Sequence, residues 1–375
     1  MKKRQEKFDP TLRSTIKIVF VLSRVTLGAD VAITSIIMAK MKQAFPNSEV
    51  VLVGSSRMGQ LFGGDPRTRV RDVLYERAGG LIERLDCWLD LIKVLNDEKS
   101  GFKPEEYLIV DPDSRLTQLG LLPLTEDDSR YYFFESRGYR KPGMGCISQL
   151  ALSWLNERFG AEEELYPYVS LSKEDRDFAK RICQKLRSQG ADYLVSINFG
   201  VGDNMRKRIH DPFEEQLVSN LVDDGNVVIL DKGYGKEEIN RANRLITNLR
   251  RKGKTVVEIN ENSPSDTRRP GSVHAKVIVW EGGIGLFSAL IAETNEYIGY
   301  DSAGQHIAAA LEVPTIDIFA DSSHPLFFER WRPYGKGVVK VVKADTPSPR
   351  RERVDLYRVL NDVMTFHREI KKDCS

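Results

Sequence analysis

The fold class predicted for this chain is α/β, with two units that each contain a parallel sheet, on three observations. Short β-branched runs alternate with helix-spaced apolar segments along most of the 375 residues. That alternation implies parallel strands joined by helical crossovers. At Gln189-Gly190 the pattern stops and then restarts with a fresh apolar run. The length also exceeds what one ordinary core accommodates, so two domains are expected.

The elements follow in order. Ile16–Leu22, IKIVFVL, is short and β-branched and reads as a buried strand. From Asp30 to Phe45 apolar residues recur at helical spacing, and Pro46-Asn47 ends the helix. Val50–Val53, Tyr107–Val110 and Tyr131–Phe134 are further strands, with a helix over Leu81–Leu95. Cys146–Phe159 and Lys173–Ser188 read as helices. After the restart, strands are expected at Tyr193–Ile197, Val227–Leu230, Val256–Ile259, Val277–Trp280, Tyr297–Gly299 and Thr315–Phe319. The helices between them fall at Pro212–Val222, Glu237–Arg251, Leu286–Thr294 and His306–Leu311. A charged amphipathic helix, Arg351–Lys371, follows a Pro-Ser-Pro linker. The domains are therefore expected at 1–188, 189–345 and, as linker and helix, 346–375.

Composition narrows the function. With 41% hydrophobic and 29% charged residues the chain is globular, and a net charge of +2 gives no field suited to nucleic acid. Basic clusters at Met1–Lys7, Arg206–Arg208, Arg250–Lys254 and Arg350–Arg353 suit solvated faces, or contact with anionic head groups. Cys87, Cys146, Cys183 and Cys374 lack metal or redox spacing and read as free thiols of a reducing compartment. Nothing approaches the roughly 20 apolar residues of a membrane span. A cytoplasmic location, with peripheral contact at the cytoplasmic membrane face as an option, is the expectation.

Ligands of open parallel sheets bind where strands end, so the loops leaving strands carry the functional reading. Asp30, at the head of the first helix, suits either a helix cap or a general base. Gly200 and Gly202, followed by Arg206-Lys207-Arg208, put cations and pliable backbone where a phosphate can sit. Glu237 and Glu238 follow a strand, as ribose-binding carboxylates do, although helix N-termini also favour acids. The loop WEGGIGLF allows close backbone approach or a plain turn. In YIGYDSAGQHIAAALEVP, the amides of Ser302, Ala303 and Gly304 open a helix, as an anion site requires. Asp301 and His306 flank it. Neither sheet opens with GxGxxG, and no Walker sequence occurs, which argues against a dehydrogenase or an ATPase.

Taken together, these loops resemble glycosyltransferase family 9, the ADP-heptose:lipopolysaccharide heptosyltransferases and their relatives. DSAGQHIAAALEVPTIDIF looks like the family's C-terminal signature, and TLGADVAITSIIMAKMKQAFPNSEVVLV like its opening. NMRKRIHDPFEEQL is similar to the segment with the phosphate-binding lysine, here Lys207, and WRPYG has a counterpart near the family's C-terminus. The resemblance spans roughly residues 16–340. It departs at two points: Ala29 separates Gly28 from Asp30, and the glycine of the anion loop stands at 304 instead of 303.

What the resemblance implies is a GT-B fold, two Rossmann-like domains with parallel sheets facing across a cleft. It implies an inverting, metal-independent transfer of a sugar, heptose from ADP-heptose in the family, to a glycan or glycolipid such as lipopolysaccharide core. Asp30 would be the base. Lys207, Arg208 and the 302–304 segment, with Asp301, Gln305 and His306, would hold the donor diphosphate, and Glu237 or Glu238 the ribose. Arg115, Arg137 and Arg140 would meet an anionic acceptor. No cofactor or metal is implied beyond the nucleotide-diphosphate sugar, and no nucleic-acid partner. Two alternatives stay open: a nucleotide-sugar-binding protein without turnover, and a nucleotide-sugar epimerase.

Overall fold

The computed structural model describes residues 6–160, 164–202, 204–262, 275–320, 325–344 and 354–373. Cys374, the basic residues before position 6 and the cluster at 350–353 lie outside the described residues. Two compact units are present, 1–171 and 172–375.

The first unit is built on five strands: β1 (Ile18–Leu22), β2 (Glu49–Gly54), β3 (Thr68–Asp72), β4 (Tyr107–Asp111) and β5 (Tyr131–Phe133). Every pairing is parallel, in the order β3-β2-β1-β4-β5. The short helix α1 (Leu27–Ala29) runs through a π turn, Asp30–Thr34, into α2 (Ser35–Ala44). α3 (Met58–Phe62), α4 (Leu81–Lys99) and α5 (Ile147–Phe159) complete the crossovers. All five residues of β1 and of β4 are buried, as expected of central strands covered on both faces. One face packs Phe20, Leu22, Ile109, Leu91 and Leu95 into a single cluster with the inner side of α4.

In the second unit the strands are β6 (Leu194–Asn198), β7 (Val227–Asp231), β8 (Val256–Asn260), β9 (Val277–Glu281), β10 (Glu296–Tyr300), β11 (Thr315–Phe319) and β12 (Val339–Lys343). They form one parallel sheet in the order β12-β11-β10-β6-β7-β9-β8. The helices are α6 (Lys173–Ser188), α7 (Phe213–Asp223), α8 (Lys236–Arg251), α9 (Ile284–Ala292), α10 (Ala303–Ala310), α11 (Pro325–Trp331) and α12 (Leu356–Asp373). The larger core joins Val195, Ile197, Leu230, Ile298 and Ile318 of the sheet to Leu217 of α7 and Val359 and Val363 of α12.

The units divide at 171/172, not at the 188/189 read from the sequence, because α6 packs on α9 of the second sheet. The final helix likewise packs on α7 and β12, and so is part of the second unit's core. A buried polar contact fixes it there. His367 Nδ1 lies 2.6 Å from Glu296 Oε2, and Asn226 Nδ2 lies 3.0 Å from His367 Nε2.

Each sheet has one place where the chain leaves a strand and later returns on its other side. In the first unit it lies between β1 and β4, in the second between β6 and β10. These switch points are where an open α/β sheet leaves room for a ligand at the carboxyl ends of its strands.

Candidate functional site

At the first unit's switch point the loop after β1 carries Asp30. The sequence reading puts Asp30 at the start of a helix, and the structure corrects this. The helix begins at Leu27, and the Asp30 amide donates to Thr26 O at 2.8 Å, already one turn in. Next comes the π turn, whose closing bond runs from the Ser35 amide to Asp30 O, five residues back. Such a turn is how a helix absorbs one extra residue. Ala29, the residue added between Gly28 and Asp30, is the obvious candidate for that extra residue.

The Asp30 carboxylate is fully buried and folds back on the strand end. Oδ1 accepts from the Arg24 amide at 2.6 Å and from Thr34 Oγ1 at 2.8 Å, and Oδ2 accepts from Ser23 Oγ at 2.8 Å. Each carboxylate oxygen takes about two hydrogen bonds, so Oδ2 retains one acceptor position. Burial raises the Asp30 pKa to about 6 against the pull of these donors and of the Arg24 cation. An acid so placed is ionised at neutral pH, yet basic enough to take a proton.

Across the switch point, Asp111 at the end of β4 spends its carboxylate on its own loop. It accepts from the Ser114 amide, Thr117 Oγ1 and Tyr131 Oη, at 2.6, 2.6 and 2.7 Å. Asp113 pairs with Arg24 and, at 3.6 Å, with Arg137. The Asp-Pro-Asp stretch is thus a loop anchor in this structure. Arg115 is exposed, and Arg140 donates to the carbonyls of Arg137 and Tyr139 at 2.6 and 2.9 Å.

At the second unit's switch point, Lys207 and Asp301 meet. Lys207 lies 2.6 Å from Asp301 Oδ2 and donates to its carbonyl at 3.1 Å, with Phe327 of α11 beneath the ammonium at 5.4 Å. The Asp301 carboxylate therefore holds the lysine beside the anion loop. Helix α10 starts at Ala303, three residues earlier than read from the sequence, with Ser302 as its cap. The first-turn amides have no partner within a helix and point out of its N-terminus. Gln305 Nε2 donates to Asp301 Oδ1 at 2.8 Å. His306 is buried, and burial together with the Lys207 charge pushes its pKa down to about 3, so the imidazole is neutral.

The displaced glycine has a steric cause. A Cβ on Gly304 would lie 2.0 Å from Tyr297 Oη and one on Gly299 2.4 Å from the same atom. The Tyr297 phenol, fully buried on β10, thus requires glycine at both positions and leaves Ala303 free to carry a methyl group. Downstream, a Cβ on Gly335 of the WRPYG stretch would meet Ala309 O at 2.2 Å, so this glycine lets the chain close on α10.

Three further residues of the donor reading occupy distinct places. Arg208 donates to Glu214 Oε1 at 2.6 Å and pairs with Asp211, which commits its guanidinium to the base of α7. Glu238 accepts from the amides of Val201, Gly202 and Tyr234 at 3.0, 3.0 and 2.8 Å, clamping the loops after β6 and β7 together. Glu237 is exposed in the first turn of α8. Sequence reasoning missed Asp231, at the end of β7, whose pKa burial raises to about 7 and which accepts from Asn198 Nδ2 at 2.6 Å. It also missed Asp317 of β11, fully buried, with no hydrogen bond to either carboxylate oxygen among the described residues. A lone acid inside TIDIF was the available signal.

Comparison with known proteins gives a coherent picture. Residues 283–360, which include α10 and the anion loop, match the family model of glycosyltransferase family 9 (heptosyltransferase). No curated protein matches the chain. A glycosyltransferase of family 9 from Veillonella parvula DSM 2008 is similar in structure over 94% of this chain and 97% of its own, at 13% identity and a TM-score of 0.65. For the ADP-heptose lps heptosyltransferase II of E. coli the values are 96%, 100%, 13% and 0.62. E. coli heptosyltransferase WaaC, solved with ADP, matches over 94% and 99% at 14% identity, with a TM-score of 0.57.

The chain thus shares the GT-B fold of these glycosyltransferases, and its segment 283–360 is similar to family 9.

Proposed function

We propose that the protein transfers a sugar, with inversion and without a metal, from a nucleotide-diphosphate donor to a glycan or glycolipid. The observation that carries this is the Lys207–Asp301 pair at the start of α10, inside the segment that matches the family. A cation held by a carboxylate beside unpaired helix amides suits a diphosphate. As the bond from the anomeric carbon to the diphosphate breaks, negative charge builds on the leaving oxygen, and fixed donors stabilise it. The amides of Ser302, Ala303, Gly304 and Gln305 are assigned to that role with Lys207, and the neutral His306 imidazole to a hydrogen bond with sugar or phosphate. Glu237 is the exposed candidate for the ribose in this reading, and Glu238, whose carboxylate already accepts three backbone amides, is the alternative. Arg208 contributes through the loop's charge.

Asp30 takes the proton of the attacking hydroxyl, on Oδ2, as the new glycosidic bond forms. One base suffices for a single displacement. Arg115, Arg137 and Arg140 are the candidate contacts for an anionic acceptor. The donor best supported is ADP-heptose, since similar structures are named for ADP-heptose or were solved with ADP. The corresponding acceptor is lipopolysaccharide core, made at the cytoplasmic face of a membrane, where the protein would be peripheral. Among the described residues no helix is long and apolar enough to cross a membrane.

The test is titration calorimetry with ADP and ADP-heptose on wild type and Lys207→Ala, followed by transfer assays with and without EDTA. Lys207→Ala is expected to bind at least about tenfold more weakly, the scale of one lost charge-assisted bond. Unchanged affinity would remove Lys207 from the donor site. Donor consumed without acceptor would mark an epimerase, binding without turnover a non-catalytic protein, and loss of transfer in EDTA would end the metal-free reading.

A further inference from the structure

The turn after β1 has an uncommon backbone. Val25 has φ +70°, a left-handed conformation that a β-branched residue rarely adopts. On the other side of the switch point Asp113 is left-handed too, with φ +69°. Arg24 lies between these two distortions and bonds to both sides of them. Its amide makes the 2.6 Å bond to Asp30 Oδ1. Its side chain, only 10% exposed, donates from Nη1 to Pro112 O at 2.8 Å and to Ser136 Oγ, and lies 3.3 Å from Asp113 Oδ2. The Val25 amide, meanwhile, donates to Ser23 Oγ at 2.8 Å, and that same hydroxyl donates to Asp30 Oδ2. One residue thus ties the loops after β1, β4 and β5 together beside the buried carboxylates of Asp30 and Asp113. Strained backbone that is held this firmly gathers at working sites.

We propose that Arg24 is a positioning residue for Asp30, fixing the left-handed turn at Val25 so that the carboxylate is held with one acceptor position in hand. The proposal rests on the reading of Asp30 as the base. Electrostatics act in the same direction. The guanidinium faces Asp113, Asp30 and Asp111, with Arg137 as the one like charge, and its field favours ionised Asp30 against burial.

The experiment separates position from catalysis. Asp30 titration is read, without any ligand, as the pH dependence of the melting-temperature difference between each protein and its Asp30→Asn counterpart. Removing the cation in Arg24→Met is expected to move the midpoint upward. Turnover should fall at least about tenfold while the donor KM stays within about twofold, the pattern of a group that acts only on the chemical step. Arg24→Lys keeps the charge and loses the guanidinium's contacts with Pro112 O, Ser136 Oγ and Asp113, so the midpoint stays near that of wild type and turnover still falls. An unchanged midpoint in Arg24→Met, or a raised KM with unchanged turnover, overturns the proposal. If Arg24→Met does not fold, Ser136→Ala decides: lower turnover at unchanged KM supports it, and wild-type turnover overturns it. If Asp30→Asn turns over normally the base reading fails, and the titration still reports on Arg24.

Discussion

Tyr297 and Gly304 show how one side chain dictates another's identity. The phenol stands under the first turn of α10 with its hydroxyl buried and without a hydrogen-bond partner among the described residues. Adding a methyl group at 304 would place it 2.0 Å from that hydroxyl and 2.7 Å from the ring carbon bearing it. Gly304→Ala should therefore destabilise the protein by about 1–3 kcal/mol, the usual cost of overpacking. Tyr297→Phe removes an unpartnered buried polar atom and should be neutral or stabilising by up to about 1 kcal/mol. Since the two side chains touch, the double variant should cost less than the sum of the singles. Urea denaturation of the four proteins measures this. Additive effects would show that the glycine is placed for some reason other than the tyrosine. The sequence displays the displaced glycine but not its cause, because the contact joins a strand residue to a helix residue across the sheet face.

At the level of elements, the central strands were legible because burial on both faces makes them continuous apolar runs, as in IVFVL and YLIVD. Two edge strands were not. β3, TRVRD, is half-exposed along its first four residues, and β12, VKVVK, alternates lysine with valine. Edge strands face water and carry charge, so they lack the run that marks a strand. The loops of the candidate site were located from the sequence, but their internal bonding was not. Asp301 holding Lys207, and Glu238 clamping two loops, depend on side chains brought together from different strand ends.

The π turn is likewise visible only in the backbone, and it yields a test of its own. If Ala29 is the extra residue absorbed there, deleting it lets the turn revert to ordinary i→i−4 bonding. The deletion variant should fold with a stability within about 1–2 kcal/mol of wild type, because the change trades one irregular turn for a regular one. Thermal denaturation, with amide exchange at Ser35, provides the measurement. A protein that fails to fold would mean that the wide turn is demanded by its surroundings and not by the insertion.

At the scale of the whole molecule, the buried carboxylates make stability depend on pH in a direction opposite to that of most salt-bridged proteins. Burial raises Asp30 to about 6 and Asp231 to about 7, and also raises Asp111, Glu214, Glu296, Asp301 and Asp317. A carboxylate whose folded pKa lies above its unfolded value binds more protons when folded. Its contribution is most favourable below the unfolded value and declines as pH rises through the folded one. For Asp30 and Asp231 that window runs from about pH 4 to 7, and the shifts correspond at most to about 3 kcal/mol for Asp30 and about 4 kcal/mol for Asp231. His306 acts in the reverse sense. Its folded pKa of about 3 lies below the unfolded 6.5, so it weakens the fold as pH falls through that interval. Above pH 6.5 the histidine is neutral in the folded state and sheds only its remaining partial charge in the unfolded one, so the raised carboxylates dominate the change. The melting temperature is therefore expected to fall between pH 6.5 and 8, and Asp231→Asn should flatten that slope. Differential scanning calorimetry on both proteins decides the matter. A melting temperature that rises over this range would show that these acids are ionised in the folded protein at lower pH than their burial dictates.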